Sequence, residues 1–185
     1  MKYAIELFLD SKAEKSIHSF FKKMAKTKIS SEMLDSKSHP HISLLVFETD
    51  NLPSVIQSFN AVTKDMHKLT LYFPSLATFH DTGVLFLAPG VTFELQMIHQ
   101  KIFKALNPHI KNISLWYLPG VLTYHCTLGI NLSKTKLIKA FNLALKTNLP
   151  KGFKAGKISL VAIHDQDKPL WAESLYTVSL KSSKT

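Results

Sequence analysis

The 185-residue sequence contains no arginine, and all 23 of its basic residues are lysines. Without a guanidinium there is no planar two-pronged grip on phosphate or base edges, which excludes sequence-specific nucleic-acid readers that depend on one. Cysteine is almost missing too, and the single Cys126 rules out an internal disulfide. The longest largely apolar stretches, such as Ile42 to Phe47 and Val84 to Ala88, fall far short of the roughly 20 residues that a spanning helix needs. Nor do the first residues carry the apolar core and cleavage site of a signal peptide, so a cytoplasmic location without a membrane partner is expected. Acidic residues number only 13, leaving a net charge of +10. A surface of that sign concentrates polyanions by diffuse attraction. Lysine richness serves solubility equally well.

What is present suffices for a globular core: 45% of residues are apolar and 19% charged, enough for one domain or for two small lobes sharing an interface. Tyr3 to Leu9 reads as a strand. Ser11 is a candidate cap for an amphipathic helix to about Lys28, with Ile17, Phe20, Phe21 and Met24 on one face. A polar stretch leads to His41, a β-branched and aliphatic strand runs from Ile42 to Glu48, and Asp50 with Pro53 opens a helix to about His67. Leu69 to Phe79 completes the first half as a strand. The second half repeats the order with a strand from Val84 to Ala88 and a helix from Val91 to about Leu106. A loop carrying Trp116, Pro119 and Gly120 follows, then a strand beginning at His125. A helix capped by Ser133 runs to about Thr147, and strands at Lys157 to Ile163 and Glu173 to Leu180 are joined by a polar turn at Asp165 to Pro169.

Tyr3 lies 38 positions before His41, and Val84 lies 41 before His125. This duplicated layout predicts an α+β fold in a single domain over 1–185. Two pseudo-symmetric lobes are expected, about 1–80 and 81–185, each a β-sheet flanked by helices, with a central groove between the sheets.

His41-Ile42-Ser43 and His125-Cys126-Thr127 share the pattern of a histidine followed two places later by a hydroxyl residue. The pattern alone is weak, because roughly one or two matches arise by chance, and His80-Asp81-Thr82 is a third. Position separates them: His41 and His125 open aliphatic strands at matching places, whereas His80 falls in a turn. Residues two apart in a strand project from one face, so His41 with Ser43, and His125 with Thr127, form two like pairs facing a groove. Phosphodiester cleavage needs one group to take a proton from the attacking oxygen and another to return one to the leaving oxygen. Two imidazoles do this near neutral pH. The Ser43 and Thr127 hydroxyls can hold the non-bridging oxygens. No metal and no cofactor is called for; a zinc pair lacks an acid or thiol at suitable spacing.

HPHISLLVF and YHCTLGI, spaced by 84 positions, with YAIELF opening the chain, resemble the two-histidine phosphoesterases, among them the 2',5'-RNA ligase-like proteins and the cyclic nucleotide phosphodiesterases. The resemblance runs along nearly the whole chain. It implies a bilobal α+β fold, His41 and His125 as catalytic residues, and Ser43 and Thr127 as phosphate ligands. As partners it implies RNA ends, oligonucleotides or nucleotides carrying 2',3'-cyclic phosphates or 2',5' linkages, acted on by a monomer. Where relatives line the groove with aromatics or arginines, the first strand here holds Glu6. Phe79 and His80, at the end of the third strand, are the further candidates for the substrate wall.

Other residues have plainer readings. His18, His67, His99 and His109 fall on or near helix surfaces, Cys126 is a small core residue, and Lys168 is a solvated lysine or a phosphate guide. Trp116, Tyr117 and Tyr124 either stack on a base or anchor their loop. A nucleotide-binding module without turnover and a metal-dependent hydrolase remain the competing functions.

Overall fold

The longer helices are each set by a side-chain cap and an apolar stripe. In the computed structural model, which describes residues 1–36, 38–164, 166 and 171–182, strand β1 (Lys2–Phe8) leads into helix α1 (Ser11–Lys26). The cap is Asp10 rather than Ser11: its carboxylate accepts from the Lys12 and Ala13 amides, which satisfies two of the orphaned N–H groups of the first turn. The face carrying Ile17, Phe20, Phe21 and Met24 is buried; each such side chain contributes about 1.5–3 kcal/mol. After a short turn of helix, α2 (Glu32–Asp35), the chain enters β2 (His41–Glu48), and Asn51 caps α3 (Leu52–Thr63).

The stretch read as one strand from Leu69 to Phe79 is two, β3 (Leu69–Tyr72) and β4 (Ser75–Thr78). Pro74 sits between them, lacks the N–H that a continuing ladder requires, and marks the point where the chain changes sheets. Next come β5 (Leu85–Ala88), α4 (Phe93–Leu106) capped by Thr92, β6 (Cys126–Gly129), and α5 (Lys134–Leu145) capped by Ser133. A strand unforeseen in the sequence, β7 (Gly152–Ala155), precedes β8 (Lys157–His164) and β9 (Trp171–Ser179). The turn expected at Asp165 to Pro169, with Lys168, lies outside the described residues apart from Gln166.

The result is a mixed α+β fold with three sheets, ordered β2-β1-β8-β9, β3-β7 and β4-β5-β6. Division at residue 80 does not describe them. The turn at 79–84 joins β4 to β5 as an antiparallel hairpin, and β8 and β9, from the second half, complete the sheet begun by β1 and β2. The reason is an open edge: β2 covers one side of β1, and β8 supplies hydrogen bonds to the other from Lys2↔Ile163 to Phe8↔Lys157. Among the described residues no helix is long and apolar enough to cross a membrane.

The segment between α4 and β6 is fastened along its length. Glu48 and Lys111 exchange backbone hydrogen bonds, the Ser114 amide donates to the Val46 carbonyl, and Thr49 Oγ1 donates to the His109 carbonyl. Deeper in, His99 bridges Tyr124 Oη at 2.9 Å and the Tyr117 carbonyl at 3.0 Å. His99 is therefore fully buried, and not the solvated surface residue expected from its place on a helix.

Candidate active site

Two edge strands, β2 and β6, lie against each other, and each brings a histidine and a hydroxyl to the space between the sheets. In the first sheet Phe8 pairs with His41 and Glu6 with Ser43. Paired residues project from the same face, so these four share one surface while Ile42 and Leu44 are buried behind it. A β-bulge follows immediately: the register jumps from Glu6↔Ser43 to Ile5↔Leu45, leaving Leu44 unpaired. The second motif repeats this device, since Phe86 pairs with Thr127 but Leu85 with Gly129, leaving Leu128 extra. A bulge adds local twist and re-aims the side chains beside it. Both hydroxyl residues are thus followed by a buried leucine at a kink, a correspondence closer than the sheet memberships.

The imidazoles are held alike. His41 Nδ1 donates to the His39 carbonyl at 2.6 Å and His125 Nδ1 to the Thr123 carbonyl at 2.7 Å. A carbonyl can only accept, so Nδ1 carries the proton in both rings and Nε2 is the working nitrogen. Among the described residues, Ser43 and Thr127 have no hydrogen-bond partner for their hydroxyls, and both are only partly buried, which leaves them free to bind a ligand.

The surroundings differ. His41 Nε2 lies 3.3 Å from Glu6 Oε1, and Glu6 is only 4% exposed. Burial pushes the Glu6 carboxyl above its ordinary value, against the opposing pull of His41 and His39. His125 sits among aromatics, with ring centroids at 4.9 Å from Phe79, 5.5 Å from Phe86 and 6.4 Å from Tyr117. Burial, and after it the nearby His41 charge, holds His125 below the usual imidazole range, although the Thr123 carbonyl pulls the other way. Tyr117, near the second histidine's ring, is drawn upward by burial and by the Glu6 charge. Cys126 is fully buried and its thiol is pushed up to about 12 by burial, so it is packing material and not a nucleophile.

The structure therefore brings together His41, His125, Ser43, Thr127, Glu6 and Phe79. His80 is not among them: its side chain is 95% exposed and pairs with Asp81 at 2.7 Å. The turn at 79–84 carries Phe79 inward and His80 outward, which removes His80 from the wall expected for it. Tyr117 is the residue the sequence left open between stacking and packing; its neighbour Trp116 is 77% exposed. Among the described residues, no group of three or more His, Cys, Asp or Glu side chains is placed to hold a metal ion.

The solved structure of LigT from E. coli with 3'-AMP aligns over 98% of this chain and 98% of its own, at a TM-score of 0.65 and 11% identity. TT0787 of Thermus thermophilus aligns over 100% of both chains at 0.63 and 14%, and Usb1 of Kluyveromyces marxianus over 97% of both at 0.51 and 12%. At such identities the likeness is one of fold. No curated protein sequence matches the chain. The family model of the 2'-5' RNA ligase superfamily does match, over residues 15–167, taking in both histidine motifs. The chain belongs to the 2'-5' RNA ligase superfamily, the two-histidine phosphoesterases.

Proposed function

We propose that the protein hydrolyses phosphodiesters of RNA or nucleotides, a 2',3'-cyclic phosphate or a 2',5' linkage, by proton transfer between two histidines without a metal. The observation that carries this reading is the matched pair of imidazoles, each with Nδ1 tied to the carbonyl two residues back and an unpartnered hydroxyl two residues on, His41 Nε2 meeting Glu6 at 3.3 Å. Held in one tautomer and one orientation, each ring is ready for proton transfer with little reorganisation.

The unequal surroundings assign the roles. His125, kept neutral by its aromatic enclosure, takes the proton of the attacking water. Glu6 at 3.3 Å is placed to balance the charge of a protonated His41, which gives its proton to the departing ribose oxygen. Ser43 and Thr127 donate to the non-bridging oxygens and hold phosphorus between the rings. For a cyclic phosphate the P–O bond to one ribose oxygen breaks as water adds on the opposite side. The pair of histidines ends with its protonation reversed and resets through solvent. That E. coli LigT has been solved in complex with 3'-AMP and with ATP supports a nucleotide as ligand.

The test is a substrate panel of a nucleoside 2',3'-cyclic phosphate, a 2',5'-linked adenylate trimer and its 3',5' isomer, with chelator present throughout. Turnover that resists chelation and falls by at least about 100-fold in both His41→Ala and His125→Ala supports the reading. Nucleotide binding by the wild type with no turnover of any substrate would replace it with a binding module.

A further inference from the structure

A cleft of about 760 Å³ opens beside His41 on the same face of the first sheet, with Phe8, His39 and Pro40 at its near end. The pairing register maps its floor. His41 is opposite Phe8, Phe8 is opposite Lys157, and Lys157 is opposite Ser179, so these four form one row across the sheet. At the usual strand separation Lys157 lies about 10 Å from His41 along that row and Ser179 about 14 Å. A parallel row runs from Ser43 through Glu6 and Ser159 to Thr177. Outward of Glu6 it carries only hydroxyls: Ser159 is buried and hydrogen-bonded to Thr177 Oγ1 at 2.9 Å, and Thr177 lines the cleft.

The cleft carries three lysines against two carboxylates. Lys68, Lys154 and Lys157 line it; Lys68 Nζ donates to the Ser182 hydroxyl at 3.3 Å, and none of the three pairs with a carboxylate among the described residues. The two carboxylates in the wall are already engaged. Asp10 accepts from the amides of Lys12, Ala13 and Lys154, and Glu14 lies 2.6 Å from His39 Nδ1 and 3.6 Å from His18 Nε2. Between His41 and the lysines stand the rings of Phe8 and His39, 5.4 Å apart. An aromatic pair followed by lysines without carboxylate partners and by the hydroxyls of Ser174, Thr177 and Ser179 is the chemistry that holds single-stranded nucleic acid, with bases on ring faces and phosphates on ammonium groups.

We propose that this cleft receives the ribose-phosphate strand joined to the scissile phosphodiester, making oligonucleotide ends of two or more residues the preferred substrates over mononucleotides. The inference rests on the phosphodiesterase reading above. Lysines act as point charges without directional forks, so the preference is for length and not for base.

The experiment compares kcat/KM for adenosine 2',3'-cyclic phosphate with that for di- and triadenylates ending in the same cyclic phosphate, in the wild type and in Lys154→Ala/Lys157→Ala. The expected result is a trimer advantage of about 10-fold or more, carried by KM. Raising salt should erode it with a log–log slope of about −0.7 per added phosphate, and the double variant should reduce it to under about 3-fold. A trimer no better than the mononucleotide, or an advantage untouched in the variant, overturns the inference and leaves the phosphodiesterase reading intact. If no member of the series is turned over, that reading fails and the inference with it.

Discussion

Replacing Glu6 by glutamine keeps its shape and removes its charge, and the structure fixes what should follow. The side chain is 6% exposed and its one charged contact among the described residues is His41 Nε2 at 3.3 Å. Burial outweighs that attraction, because the carboxyl sits above its ordinary value of 4.5. A group whose folded pKa is raised contributes stability that is fully present below pH 4.5 and is lost as pH rises through the folded value. Near pH 7 Glu6 therefore costs the fold stability, as a buried charge or as a carboxyl that must hold a proton the unfolded chain has released. Removing one partner of a buried ion pair is destabilising where the other stays buried and charged, but His41 is 24% exposed and can give up its proton, so relief of the Glu6 burial cost should leave Glu6→Gln a net gain of about 1–2 kcal/mol. A gain of about 1–2 kcal/mol raises Tm by roughly 2–8 °C in a chain of this size. At pH 4, where the native carboxyl is itself protonated, the two proteins should unfold together. Activity moves the opposite way, with kcat falling about 10-fold or more as His41 loses its counter-charge. Chemical denaturation from pH 4 to 8, run beside steady-state kinetics, reads both. A variant less stable than wild type at pH 7 would refute the reasoning and make Glu6 a net structural support for His41.

Removing either hydroxyl, by Ser43→Ala or Thr127→Val, should lower kcat/KM by about 10- to 100-fold with little change in Tm, since each loses one hydrogen bond to a charged oxygen; unchanged kinetics would remove that residue from the phosphate site. The ring protons of His125 should titrate by NMR below 6.5, as its depressed value requires. Its contribution to stability is then present above 6.5 and lost as pH falls toward the folded value, opposite in sign to that of Glu6. His99→Leu strands Tyr124 Oη and the Tyr117 carbonyl, costing about 1–3 kcal/mol for each group left unsatisfied. It should also lower kcat by releasing Tyr117, a double effect visible in paired melting and kinetic measurements.

His41 and His125 were legible because strand position and a two-residue period suffice to put each beside its hydroxyl. The contact between Glu6 and His41 was not, for it depends on the register of β1 against β2 and on the bulge at Leu44, which local pattern does not encode. The same holds for β7: four residues beginning with Gly152 become a strand only because β3 pairs with them from far earlier in the chain. Pro74, by contrast, was in plain view and should have divided Leu69 to Phe79. The burial of His99 was also readable, since it stands four residues after Leu95 and three before Ile102 on the apolar face of α4. Sheet membership of β8 and β9 was beyond reach, because alternating strands fit either sheet equally well.

The insertion of β1 between β2 and β8 has a kinetic side. With Lys2 paired to Ile163, the scaffold of His41 is among the most non-local contacts the chain makes, and topologies of high contact order fold slowly. During synthesis the β1–β2 pair must wait with one edge unsatisfied until residues 157–164 have left the ribosome. Over that interval it is open to pairing with other chains. The nascent protein is therefore a candidate for chaperone protection at its very first strand.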